Sequence, residues 1–221
     1  MKALDLAARL RLTVITDEAL AQPRALIEVV REALAAGAPT IQLRLKGASA
    51  RELLEAAHTL MPIVRSAGAL FIVNDRVDVA LAAGADGVHL GPDDPPVVDA
   101  RAVAADTLGG VAGAFIVGYS VDTTDGAVRA EAEGADYLGS GAVYPTENKS
   151  DAGEVIGLEG LRSVVEAVSI PVVAIGGITP ERAKAVADTG ACGSASISAV
   201  VGAPDPAEAV RALLAPFGGA A

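Results

Sequence analysis

The chain of 221 residues contains one cysteine, Cys192, so no internal disulfide can form and a reducing compartment is expected. It has two histidines, His58 and His89, and no Cys/His cluster of zinc-ligand spacing. Neither histidine has a serine or cysteine placed in the sequence to act as its nucleophile. Positive charge is in deficit, with 17 Lys and Arg against 28 Asp and Glu and a net charge of −11. Nucleic acids and anionic membranes require basic patches, so neither is an expected partner. No apolar run reaches the length of a membrane span. The opening residues hold no uninterrupted apolar stretch followed by a cleavage site, so no signal peptide and a cytoplasmic location are expected. Hydrophobic residues make up 52%, which excludes disorder. At this length they support one domain over residues 1–221, with a tail expected to fray after about 216.

Short apolar runs of strand character recur at 12–16, 40–45, 70–74, 87–90, 114–120, 137–143, 172–177 and 193–198. Segments of helical spacing separate them, among them 23–36, 48–66, 122–133, 158–168 and 180–188. Thr179-Pro180 and Asp205-Pro206 each place a capping residue before a first-turn proline, the second opening a helix that ends near Leu214. Four helix-to-strand joints repeat one pattern: AAGAPT, AAGADG, AEGADY and DTGACG. Glycine there supplies a left-handed helix stop. Eight βα alternations in this length predict an α/β fold, a single (β/α)8 TIM barrel. A doubly wound open sheet is the alternative, but its glycine-rich nucleotide fingerprint is missing after the first strand.

In such a barrel the chemistry sits at the C-terminal strand ends. Residues 71–94, FIVNDRVDVALAAGADGVHLGPDD, end one strand in Asn74-Asp75-Arg76 and the next in Gly91-Pro92-Asp93-Asp94. Carboxylates on neighbouring strand ends suit a hard cation such as Mg²⁺, although each acid also precedes a helix that it could cap. On strand two, alternation sends Gln42, Arg44 and Lys46 to one side. An inward set of that kind is costly unless anions or water meet it; solvated polar caps with a structural ion pair are the alternative. Strand five ends in Gly118-Tyr119-Ser120, with Ser120 also a candidate N-cap. Strand six leads into GAVYPTENKSD (residues 141–151), a loop bearing Thr146, Asn148 and Lys149, or else an ordinary surface loop. Glycines after strand seven, and Ile197 and Ser198 on strand eight, sit where this fold binds phosphate. His89 reads as a packed core group, His58 as a surface residue and Cys192 as a small buried hydrophobe. The rim thus offers cations, acids, amides and hydroxyls without an evident proton-transfer pair, an inventory suited to electrostatic catalysis on a diphosphate leaving group.

In order, from VITD (residues 14–17) to ISA (residues 197–199), these segments resemble the thiamine-phosphate synthase (thiamine-phosphate pyrophosphorylase) family over nearly the whole chain. The resemblance implies a transferase of thiamine biosynthesis. It would couple hydroxymethylpyrimidine diphosphate to a thiazole phosphate and release pyrophosphate, through a dissociative, Mg²⁺-assisted reaction. It implies that Gln42, Arg44, Lys46, Asn74, Ser120 and Lys149 bind the pyrimidine diphosphate, with Arg44, Lys46, Ser120 and Lys149 catalytic. Thr146, Asn148, Gly177, Ile197 and Ser198 would bind the thiazole phosphate, and Asp75 and Asp94 would hold Mg²⁺. Three positions depart from the family pattern: Asn148 stands for a threonine, Pro92 for a glutamine, and Asp122 for a histidine found in many relatives. Rival readings are a thiazole tautomerase-like barrel, a sugar-phosphate epimerase, and a non-catalytic binder of thiamine-pathway phosphates. The expected partners are small phosphorylated molecules, and a homo-oligomer is compatible with the sequence.

Overall fold

A computed structural model describes residues 3–109, 114–146 and 154–218. A first helix, α1 (Ala3–Arg9), precedes eight strands: β1 (Leu12–Ile15), β2 (Thr40–Leu43), β3 (Leu70–Asn74), β4 (Gly87–Leu90), β5 (Ile116–Val121), β6 (Tyr137–Ser140), β7 (Val172–Ile175) and β8 (Gly193–Ser196). They pair in parallel in sequence order, and β8 closes on β1. After β1 come α2 (Glu18–Ala21) and α3 (Leu26–Ala35), and after β2 comes α4 (Ala50–Ser66). The next helices are α5 (Val77–Ala83), α6 (Val97–Leu108), α7 (Thr124–Ala132), α8 (Gly157–Ala167) and α9 (Pro180–Ala187). α10 (Ser198–Val201) and α11 (Pro206–Leu214) follow β8. The fold is the expected (β/α)8 barrel.

Strand alternation builds two cores. Ile41, Leu43, Phe71, Val73, Val88 and Leu138 face outward and are covered by the helices. Ile15, Leu70, Ile72, Ile116, Tyr137, Val173 and Ala195 fill the barrel interior. Each inner residue sits one position away from an outer one, as the two-residue period requires.

The repeated joints stop the helices as their glycines predict. Gly37, Gly84, Gly134 and Gly190 all have φ between 70° and 97°. In three of them the next alanine N–H bonds the carbonyl five residues back: Ala38 to Ala33 at 3.0 Å, Ala85 to Ala80 at 2.9 Å, and Ala135 to Ala130 at 3.0 Å. Where the joint reads Gly-Ala-Asp, the acid fastens the strand bottoms. Asp86 accepts from the Phe71 N–H and Asp136 from the Val117 N–H, both at 2.8 Å.

Several strands end earlier than their apolar runs suggest, because the rim has other partners for their backbones. The Thr16 hydroxyl accepts from the Arg44 N–H at 2.8 Å and donates to the Arg44 carbonyl at 2.9 Å, so β2 stops at Leu43. β7 stops at Ile175 because Gly176 and Gly177 turn to φ of 100° and 62°. β8 stops at Ser196, and Ser198, expected within the strand, opens α10. After α11 a short turn seats Phe217 against the core, and Arg11 donates to the Gly218 carbonyl.

Candidate active site

The C-terminal strand ends surround two cavities, of about 600 Å³ and 150 Å³. They share walls at Pro92, Ser120, Gly139, Ile175, Ala195 and Ile197, so they are two lobes of one site.

The smaller lobe gathers polar groups from β2 to β5. Gln42, Arg44, Asn74, Asp75, Asp93, Asp94 and Ser120 all line it. Arg44 is set there by the double clasp of Thr16 on its backbone. No carboxylate pairs with Arg44 among the described residues. Lys46 lies in the turn beyond, exposed, and lines neither lobe. Arg76, the other cation of this rim, bonds Asp78 through two nitrogens at 2.6 and 2.9 Å and lines neither lobe. Its guanidinium holds the Asp78 carboxyl below its usual range.

Asp75 takes a φ of 64°, the one non-glycine in that region among the described residues. This conformation costs energy and tends to survive at functional positions. The Asp75 N–H donates to the His89 carbonyl at 2.8 Å, which fixes the bend. Asp94 accepts from the Gly91 N–H at 2.6 Å and is thereby oriented on the lobe wall. Among the described residues no cluster of three or more His, Cys, Asp or Glu could hold a metal by itself. A pair of carboxylates is nonetheless the usual protein share of a Mg²⁺ site completed by water and substrate phosphates, so Asp75 and Asp94 fit that ion.

Beneath the small lobe runs a buried polar chain. The His89 ring meets Tyr137 Oη at 3.0 Å through Nδ1 and Ser120 Oγ at 2.9 Å through Nε2. Tyr137 also hydrogen-bonds Gln42, and its full burial raises the phenol pKa well above the ordinary value. The phenol therefore keeps its proton, and each imidazole nitrogen has one neighbour to bond. Glycines make room for the chain: a Cβ on Gly118 would lie 2.2 Å from Tyr137 Cζ, and one on Gly139 would lie 3.0 Å from His89 Cε1. His89 is packed in the core, as expected, but it also lines the site. Tyr137→Phe is expected to lower stability by about 1–3 kcal/mol, the cost of unpaired buried groups. It should also reduce turnover, because Gln42 and Ser120 lose their fixed orientation. Thermal melts and steady-state rates check this; a variant matching the parent in both would refute the role of the chain.

The larger lobe is lined mostly by small uncharged residues of β5 to β8 and their loops, including Thr146, Gly177, Ile197 and Ser198, with Asp122 and Arg182 as its charged groups among the described residues. The segment after β6 folds across the segment after β7. The Val143 N–H donates to the Ile175 carbonyl at 2.9 Å and the Tyr144 N–H to the Gly176 carbonyl at 3.0 Å. A Cβ on Gly177 would lie 2.7 Å from the Pro145 carbonyl oxygen, so side chains are excluded at this crossing. Asn148 and Lys149 lie outside the described residues.

Of the expected residues, the fold brings Gln42, Arg44, Asn74, Asp75, Asp94 and Ser120 to one lobe. It brings Thr146, Gly177, Ile197 and Ser198 to the other. Thr16, Tyr137 and Arg182 were not foreseen. Alternation backward from Gly139 would have turned Tyr137 inward. Thr16 and Arg182 carry no sequence signal. Cys192 is half-buried against the inner core, and burial pushes its thiol pKa up to about 12, which leaves it protonated and inert. His58 is exposed on α4. No helix among the described residues is long and apolar enough to cross a membrane.

Residues 12–200 match the sequence model of the family described as thiamine monophosphate synthase. A thiamine-phosphate synthase of Pyrococcus furiosus is 50% identical over 95% of this chain and 96% of its own. One of Moorella thermoacetica is 49% identical over 91% and 93%. The solved structure of thiamine phosphate pyrophosphorylase from Pyrococcus furiosus superposes with a TM-score of 0.85 at 50% identity, covering 96% of this chain and 97% of that one. With the barrel, the two-lobed rim and half of the residues shared along nearly its full length, the chain belongs to the thiamine monophosphate synthase family.

Proposed function

We propose that the chain couples hydroxymethylpyrimidine diphosphate to a thiazole phosphate and releases pyrophosphate, working as a transferase of thiamine biosynthesis in the cytoplasm. The observation that carries this reading is the pair of lobes joined at a wall of small residues. One lobe gathers Arg44 and three carboxylates and the other is lined mostly by uncharged residues, so two different substrates can meet across Ser120, Gly139 and Ala195.

The pyrimidine diphosphate occupies the smaller lobe. Gln42, Asn74 and Ser120 bind and orient the pyrimidine end, with Gln42 and Ser120 fixed by the chain through Tyr137 and His89. Arg44 faces the diphosphate, and the family resemblance adds Lys46, in the turn beyond β2, and Lys149 as further cations for it. The bond between the pyrimidine methylene carbon and the diphosphate oxygen breaks first, and its electron pair leaves with pyrophosphate. The methylene cation is delocalised over the pyrimidine ring. The thiazole nitrogen then donates its lone pair to that carbon, forming the carbon–nitrogen bond. A ring nitrogen needs no deprotonation, so the His89–Ser120 pair, which the sequence did not foresee, is needed to orient Ser120 and not as a base with its nucleophile. Arg44 acts because its planar guanidinium stabilises charge growing on the departing oxygens more than charge already present. Mg²⁺ held by Asp75 and Asp94 would supply further neutralisation of the departing pyrophosphate. The thiazole phosphate occupies the larger lobe, its phosphate near Thr146, Asn148, Gly177, Ile197 and Ser198.

Turnover tests the reading. The purified chain, given both substrates and Mg²⁺, is expected to form thiamine phosphate and pyrophosphate in equal amounts. Tight binding of both substrates without product would instead support a non-catalytic binder.

A further inference from the structure

Among the described residues lining the larger lobe there is one cation, Arg182 of α9, and one anion, Asp122. We propose that Arg182 binds the monoester phosphate of the substrate in this lobe, an assignment that rests on the two-substrate reading above. Its guanidinium is held in place before any ligand arrives. The Cζ atom lies 4.5 Å from the centre of the Tyr144 ring, and Nη1 donates to the Gly177 carbonyl at 2.6 Å. Both anchors belong to the crossing segments after β6 and β7 that wall the lobe. The hydrogen bond uses one of five guanidinium donors, and no carboxylate pairs with Arg182 among the described residues. A planar fork with free donors matches two phosphate oxygens at once. On a chain of net charge −11, such a group opposes the long-range repulsion that an incoming phosphate meets. Stacking on Tyr144 leaves the fork little conformational freedom to lose on binding.

The rival role is a clasp that only holds the two segments together. Steady-state kinetics of the parent, Arg182→Gln and Arg182→Lys separate the two. So does calorimetric titration, with pyrophosphate present, of thiazole phosphate and of the phosphate-free thiazole alcohol. Arg182→Gln is expected to raise KM and Kd for thiazole phosphate by about tenfold, the worth of a charge-assisted contact. Its kcat, its KM for the pyrimidine diphosphate and its Kd for the alcohol should stay at parent values, and Arg182→Lys should recover part of the loss. An unchanged Kd for thiazole phosphate in Arg182→Gln would overturn the assignment. Equal weakening of phosphate and alcohol would overturn it too and make Arg182 a clasp. A parent chain that binds thiazole phosphate but forms no product would strike the proposed reaction, while the titration would still decide the role of Arg182.

Discussion

Replacing Arg44 by alanine is expected to lower kcat/KM by about a hundredfold to a thousandfold, the usual effect of removing one preorganised charge stabiliser. Arg44 lines the lobe proposed to receive the diphosphate, and its backbone is pinned on both sides by the Thr16 hydroxyl. That clasp fixes the point from which the side chain reaches into the lobe. Its contribution grows as the carbon–oxygen bond breaks, so most of the loss should fall in kcat rather than KM. The barrel should remain folded, because Arg44 lies beyond the end of β2 and has no ion-pair partner among the described residues. Circular dichroism and a thermal melt check the fold, and initial rates check the chemistry. A fully active Arg44→Ala enzyme would remove the diphosphate from this lobe.

Excess chelator is expected to abolish turnover, with recovery on adding Mg²⁺ back. Asp75, Asp93 and Asp94 line the same small lobe as Arg44. A diphosphate entering it faces these carboxylates at short range, where repulsion between unit charges amounts to several kcal/mol at the effective dielectric of a protein surface, about 4 kcal/mol at 4 Å. One divalent cation between them reverses the sign of that interaction. Asp75→Asn should act in the same direction by weakening Mg²⁺ binding, raising the Mg²⁺ concentration needed for half-maximal rate. Full activity in excess chelator would exclude the Asp75 and Asp94 site.

The barrel was legible because each of its elements carries a local signal. Short apolar runs marked every strand, and the four glycine joints fixed where helices stop. Strand ends were read less well. The runs at 137–143 and 193–198 keep apolar residues, Ala142, Val143 and Ile197, after the ladder has ended. Apolar character reports burial, and the rim remains buried where its backbone has already turned to other partners. Ile197 illustrates this, buried beyond the end of β8 just before α10 opens.

For the site, residue types and strand alternation marked the rim groups of β2 to β5, and the family resemblance proposed one ligand for them. Their convergence on one small lobe follows from barrel closure, which sets strand ends distant in sequence side by side. The sequence by itself determined the strand count, the helix stops, the acidic balance and the inventory of cations, acids and glycines. Only the tertiary structure decided what those groups touch. Arg76 turns aside to Asp78, Tyr137 links Gln42 to His89 and Ser120, and Arg182 lies on Tyr144 at the mouth of the larger lobe. The reason is range. Helix stops and strand alternation arise between residues a few positions apart, whereas the hydrogen bond between His89 and Tyr137 spans 48 positions and exists only once the barrel has closed.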